Sequence, residues 1–411
     1  MRGALAAIAE RYPALRIAAR KSSALLYRTR FFLRAAAVRP EERTAVFAAY
    51  GGQSYACSPK AIYQYMCADP RFQDFTFVWL FKEPEQYRFL EKEPRTRVCR
   101  YGSKAGEAAV LKAKYWIFNF MVPEHWSPRR GQVYLQCWHG TPLKKLGLDL
   151  EHSQNAMNSI REIRDRYTAN AKKLRYLLSP SPFASAAFTS AWGLRALGKE
   201  RAVLETGYPR NDFLFTCTQA DVEKIRKKLG LSACGKRVLL YAPTWRDDQY
   251  DPKKGYTYRC PVDFDFLREK LGEEYILLFR AHYLVADTFD FERYGGFVRD
   301  VSGVDDVNEL YVVSDMLITD YSSVFFDYAN LERPIVFYMY DMEDYRGRLH
   351  EFYCDPDELP GNIVRTVDEL VREIRRCASN DSAAQHFEFN QKFNPYQDGL
   401  ASKRTVEAII E

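Results

Sequence analysis

Residues 314–341 read SDMLITDYSSVFFDYANLERPIVFYMYD, and this stretch decides the fold. Met316–Thr319 is apolar and short enough for a buried strand. Asp320, Tyr321, Ser322 and Ser323 follow as a turn rich in residues that start helices. The run from Val324 to Asn330 fits a short helix, and Pro334 then opens a second buried strand reaching Tyr340. Two hydroxyls and their backbone N–H groups thus stand where a strand hands over to a helix. First-turn N–H groups lack internal partners and the helix dipole favours an anion, so such a corner suits a phosphate. The same two serines would equally serve as plain helix caps.

Working outward, the pattern of strand and helix repeats along the chain. Before residue 235, apolar strands are expected at 45–50, 75–81, 114–120, 133–138, 176–178 and 202–205. Ser58-Pro59 and the run from Ser179 to Phe183 both read as strand-to-helix corners, with Ser as N-cap and Pro at the first helical position in the former. A charged helical stretch around 220–235 ends in turn residues and marks the domain boundary. The pattern restarts at 238–242, 275–280 and 297–301, then reaches the opening stretch. Strands alternating with helices predict parallel sheets covered on both faces. Two successive α/β units with a ligand cleft between them are therefore expected: residues 41–234 and residues 235–411, with the last helix packing back on the first unit.

The chain has 411 residues, 47% hydrophobic and 28% charged, which marks a globular protein and excludes a disordered one. Its net charge of +6 is uneven. Residues 1–40 carry nine Lys or Arg and one acid, a charge of +8 that leaves the remainder at −2. This basic arm mixes its cations with Leu, Tyr and Phe, a composition suited to a helix lying on an anionic membrane surface or packed on the body. No nucleic-acid motif accompanies it, and nucleic acid is not expected as a partner. No apolar run is long enough to span a membrane. Nine scattered cysteines without a CxxC pair suggest a reducing compartment and give no metal site.

Six stretches fall at the carboxyl ends of expected strands, the edge where parallel α/β sheets bind ligands. Trp138-His139-Gly140-Thr141-Pro142-Leu143-Lys144-Lys145 sets an imidazole beside a glycine that permits close approach, then two cations. The others hold Gly207-Tyr208-Pro209-Arg210-Asn211-Asp212, Ala242-Pro243-Thr244-Trp245-Arg246, Arg280-Ala281-His282, Ser302-Gly303-Val304-Asp305-Asp306, and the opening corner with Asp320, Ser322, Ser323 and Asp327. Two imidazoles, several cations and a hydroxyl-rich helix start fit phosphoryl transfer from a nucleotide donor, which needs anion stabilisation and in-line positioning. There is no GxxxxGK[ST] loop and no GxGxxG fingerprint after a strand.

WHGTPLKKLG, GYPRND, APTWRDD, RAH, DDVNELYVVSDMLITDYSSVFFDYANLERPIVFY and ELPGNIV together resemble the CDP-glycerol glycerophosphotransferase family of teichoic-acid primases and polymerases, over roughly residues 44–375. The resemblance implies two Rossmann-like domains in the GT-B arrangement, a CDP-glycerol or related CDP-polyol donor held mainly by the second domain, a lipid-linked polymer acceptor, and peripheral attachment to the cytoplasmic membrane face. No cofactor and no metal are implied. His139 and His282 match the two family histidines. His139 is assigned as base on the acceptor hydroxyl, and His282 with Arg280 on the donor phosphates, although the two roles could be exchanged. Ser322 and Ser323 would hold the pyrophosphate and Asp327 the ribose hydroxyls. Gly140, Thr141, Lys144, Arg210, Thr244, Arg246 and Asp320 complete the implied substrate contacts. One departure stands out: where the family commonly has Arg-Gly-Phe-Tyr, this chain has His350-Glu351-Phe352-Tyr353, which leaves room for another polyol such as ribitol. A sugar-nucleotide glycosyltransferase on the same scaffold and a non-catalytic nucleotide-binding module are the alternative readings.

Overall fold

A computed structural model describes residues 13–151, 159–232, 235–244, 250–251, 255–256, 261–280, 291–294, 296–342, 352–378 and 383–410. His282, Arg246, His350 and Glu351 lie outside the described residues, as does the start of the basic arm.

The first sheet contains β1 (Glu41–Ala48), β2 (Thr76–Phe81), β3 (Thr96–Arg100), β4 (Ala113–Phe118), β5 (Val133–Gln136), β6 (Tyr176–Ser179) and β7 (Val203–Glu205). Its order is β3-β2-β1-β4-β5-β6-β7, with every neighbouring pair parallel. The second part opens with β8 (Arg237–Ala242), and a short ribbon pairs β9 (Tyr250–Asp251) with β10 (Gly255–Tyr256). Then come β11 (Tyr275–Phe279), β12 (Val298–Asp300), β13 (Met316–Thr319), β14 (Ile335–Tyr338) and β15 (Asn362–Val364). The second sheet runs β12-β11-β8-β13-β14-β15, again all parallel. Each sheet therefore starts in the middle, builds outward to one side, then crosses back, which is the Rossmann order with a switch point beside its first strand.

The strands are apolar along their whole length because both faces are covered. Alternation divides β1 between two layers: Val46 and Ala48 face one core with Trp116 and Trp192, while Ala45 and Phe47 face another with Phe77 and Trp79. β8 does the same, with Val238, Leu240 and Ala242 on one side and Leu239 and Tyr241 on the other. Two edge strands, β3 and β15, have no counterpart in the sequence-based reading. The expected Ser58 cap is also different. The helix Cys57–Ala68 starts at Ala56 without a side-chain cap bond, and Ser58 is fully buried inside it.

The crossing between the domains is gradual. Phe213, Leu214 and Ile225 pack on the second core, although the second sheet begins only at Arg237. The final helix, Ala401–Ile409, returns to the first domain, where Val406 and Ile409 join the core of Phe47 and Trp79. The Asp212 carboxylate accepts its first N–H groups, from Ala401 at 2.9 Å and Ser402 at 2.7 Å. A long helix, Pro13–Ala36, is anchored by Phe31 and Ala35, and Arg129 donates to the carbonyls of Ala35 and Val38 at its end. No described helix is long and apolar enough to cross a membrane.

Candidate active site

The two switch points face each other across the domain boundary. In the first domain, β1 ends in Tyr50, β4 in Asn119 and β5 in Trp138-His139. Tyr50 and Trp138 hold left-handed backbone angles, φ 49° and 50°, which cost a non-glycine residue energy and concentrate at functional sites. Asn119, fully buried, fixes both neighbours. Its side-chain oxygen accepts the Tyr50 N–H at 2.7 Å, and its backbone carbonyl lies 2.9 Å from His139 Nδ1. A carbonyl only accepts, so Nδ1 carries the hydrogen and Nε2 keeps the lone pair.

The His139 ring stacks on Trp138 at 4.5 Å and meets the Tyr50 ring edge-on at 6.1 Å. The residue is exposed at the cleft, while its ring is partly desolvated by the Trp138 and Tyr50 rings that flank it. That desolvation lowers its pKa below the ordinary imidazole value; the Asn119 carbonyl opposes the shift and the charge of Arg210 adds to it. The ring is thus neutral at physiological pH with a basic nitrogen, the state required of a proton acceptor.

In the second domain, β8 ends at Ala242 and β13 at Thr319. Asp320, expected as a substrate contact, is instead buried, and its Oδ1 accepts the N–H of Thr244 and of Tyr321, both at 2.7 Å. It staples the ends of the two central strands and gives the Ser322–Ser323 turn its shape. Ser323 makes no side-chain cap bond, so the plain helix-cap reading does not hold. The helix is also short, Val324–Tyr328, continuing into a 3₁₀ turn at Ala329–Leu331. Any attraction for an anion therefore rests on the turn's hydroxyls and N–H groups more than on a long dipole. Both serines are half-buried.

The corners touch. A Cβ on Gly140 would stand 2.5 Å from Ser323 Oγ and 3.2 Å from its Cβ, so any larger residue would force Ser323 to shift. Beneath the contact, Arg210 and Asp327 form a two-pronged buried ion pair, with Nε to Oδ2 at 3.0 Å and Nη2 to Oδ1 at 2.8 Å. Asn211 adds a bond of 2.9 Å to the same carboxylate. Both charged side chains are more than nine-tenths buried, so the expected contacts of Arg210 with phosphate or cytidine and of Asp327 with ribose are replaced by contact with each other. Thr141 is likewise buried, at 1% exposure, and does not line an open surface.

Arg280 follows β11, and its Nη1 donates to the Val304 carbonyl at 2.7 Å, which orients the guanidinium at the same sheet edge. Lys144 is half-buried in a strap between the domains. Its backbone bridges to Phe352, Tyr353 N–H donates to Leu143 O at 2.8 Å, and the Tyr353 hydroxyl donates to Asp149 and accepts from Leu146 N–H. Sequence reasoning missed Tyr50, Asn119 and Tyr208. The first two had a signal: a Tyr before two glycines, and a lone Asn closing the apolar run KYWIF, both at strand ends. Among the described residues no cluster of His, Cys, Asp and Glu could hold a metal ion.

Two Rossmann-ordered domains with facing switch points, an imidazole at one and a hydroxyl turn at the other, define the GT-B architecture of transferases that use nucleotide-linked donors. The chain belongs to the CDP-glycerol:poly(glycerophosphate) glycerophosphotransferase family, whose model matches residues 30–411. It is 36% identical over 385 residues to the teichoic acid poly(glycerol phosphate) polymerase of Bacillus subtilis (strain 168), covering 92% of this chain and 50% of that protein; it spans about half that relative's length. It is 35% identical to the teichoic acid glycerol-phosphate transferase of Staphylococcus aureus (strain NCTC 8325 / PS 47), covering 90% of this chain and 94% of the relative. The solved structure of the wall teichoic acid polymerase TagF matches with a TM-score of 0.83 and 32% identity over 93% of this chain and 92% of that one. A histidine-to-asparagine variant of TagF soaked with CDPG matches at a TM-score of 0.82.

Proposed function

We propose that the protein transfers glycerol phosphate, or a closely related polyol phosphate, from a CDP-linked donor to a teichoic-acid-type polymer hydroxyl and releases CMP. The observation that carries this reading is the neutral His139, held as its Nδ1–H tautomer by Asn119 and set against the Ser322–Ser323 turn. His139 Nε2 takes the proton of the acceptor hydroxyl. The acceptor oxygen attacks the donor phosphorus that bears the glycerol, and the bond from that phosphorus to the CMP oxygen breaks. CMP leaves with the bonding electrons. Ser322, Ser323 and Thr244 bind the diphosphate, and Arg280, with His282 and Arg246, offsets the charge that develops on CMP. No step calls for a metal.

The acceptor is lipid-linked and the protein sits on the cytoplasmic face of the membrane. Support comes from the helix Pro13–Ala36. Leu25, Leu26, Phe32 and Leu33 are 66–72% exposed, turned away from the buried Phe31 and Ala35. Arg28 and Arg30 flank this apolar stripe, the pattern of a helix lying in an anionic interface. The test is CMP release with CDP-glycerol, CDP-ribitol and sugar nucleotides in turn. CMP appearing only with a CDP-polyol supports the reading; transfer of a hexose instead refutes it. Glu at Leu26, Phe32 and Leu33 together should abolish cosedimentation with anionic liposomes, and retained binding would refute the membrane assignment.

A further inference from the structure

Arg210 and Asp327 are 117 residues apart and come from different domains, yet among the described residues they make the most buried ion pair between the two. Burying two charges is expensive and is seldom the cheapest route to stability, so their joint position asks for another reason. Each is tied to one of the facing corners. Arg210 lies over the Tyr208 ring at 4.1 Å, and the Tyr208 hydroxyl donates to Gly140 O at 3.0 Å, next to His139. Asp327 sits on the short helix that Ser323 begins, one turn further on. A connected path therefore runs from base to anion turn: His139–Gly140, Tyr208, Arg210, Asp327, Ser323. It closes on itself where Gly140 meets Ser323. Asn308 locks the path from the side by donating to the Arg210 carbonyl.

We propose that Arg210 and Asp327 are positioning residues, whose buried pair sets the spacing between His139 and the Ser322–Ser323 turn so that acceptor oxygen and donor phosphorus meet in line. The pair touches no substrate. A bidentate guanidinium–carboxylate contact suits this work because it fixes both distance and orientation, which a lysine or an apolar pair does not. A misplacement of about 1 Å at a reacting centre costs on the order of 10²-fold in rate, so a clamp of this kind acts on turnover and leaves donor affinity alone.

The inference rests on the transferase reading, and its test has an arm independent of turnover. Three variants are compared with the wild type: Arg210→Lys, Asp327→Asn, and the double Arg210→Met/Asp327→Leu, which removes both charges at similar volume. CDP-glycerol binding is measured by calorimetry, turnover by CMP release, folding by thermal denaturation, and corner mobility by amide hydrogen exchange. The expected result is a fall in kcat of roughly 10–100-fold with donor Kd within about twofold of wild type. In the double variant, amides at 139–141 and 322–327 exchange faster while those of β8 and β13 do not. Weakened donor binding that accounts for the whole loss would mean the pair contacts substrate, and overturns the proposal. Wild-type kcat in a stable double variant would mean the pair only stabilises, and also overturns it. If the wild type turns over no CDP-polyol, the transferase reading fails, while unchanged exchange at both corners would separately refute the clamp.

Discussion

The two switch-point corners share one topology and are built by opposite means. The first domain uses strained backbone and a buried amide. Tyr50 and Trp138 are held at left-handed angles, and Asn119 binds one neighbour through its side chain and the other through its main chain. The second domain uses a buried carboxylate, Asp320, to staple two strand ends, and its turn contains no left-handed residue. The first construction orients a single imidazole and keeps it neutral. The second sets two half-buried serines in a turn beside Gly140. The strand order fixes where chemistry can occur, and the local supports decide which chemistry it is.

Mutations can break this division of labour. His139→Ala should have the largest effect, roughly 10²–10⁴-fold in kcat, the usual contribution of a general base, with CDP-glycerol affinity unchanged. Gly140→Ala comes next. Its new methyl would overlap Ser323, destabilise the protein by about 1–3 kcal/mol, and push the corners apart. Combining it with Ser323→Gly should recover part of the stability, and strict additivity in that double-mutant cycle would argue against the contact.

Asn119→Ala keeps the carbonyl that holds His139 but leaves the part-buried Tyr50 N–H without its acceptor, for about 1–3 kcal/mol by thermal denaturation. Its turnover should fall less than that of His139→Ala; an equal fall would shift weight from the imidazole to the amide. Tyr353→Phe should be mildest. It removes the hydroxyl that joins Asp149 and Leu146 in the interdomain strap, about 0.5–1.5 kcal/mol for each hydrogen bond. A loss of activity greater than that of Asn119→Ala would place the strap in the chemistry.

The parts of this molecule encoded in contiguous apolar runs were legible in the sequence. Met316–Thr319 is a strand with those bounds, and Ser181 caps its helix by accepting from Ala184 N–H, just before Phe183. Both parallel sheets and the corners at their strand ends could be read because a doubly covered parallel strand is apolar throughout. The β3 run TRVCR could not, since a five-residue edge strand with two Arg carries no such signal. Side-chain partners across the boundary were illegible for a different reason. Nothing near Arg210 in the chain announces Asp327, and the nearby Asp212 offered a local partner that the structure commits instead to capping the final helix. Asp320 entered as an implied substrate contact; its bonds to the N–H groups of Thr244 and Tyr321 join strand ends 76 residues apart, which nothing local announces.

The central claim is that His139 works as a neutral base with a lowered pKa, and the pH dependence of CMP release tests it most directly. Desolvation depresses the folded pKa below the ordinary value of about 6.5, so the imidazole should remain unprotonated until the pH falls below that value. The same shift predicts that stability declines as pH drops through about 6.5, because the unfolded chain takes up this proton first. The account predicts that kcat/KM with CDP-glycerol falls on the acid side with a one-proton slope centred below pH 6.5, and that His139→Ala removes this limb. A limb centred above 6.5, or one that survives in His139→Ala, would contradict it.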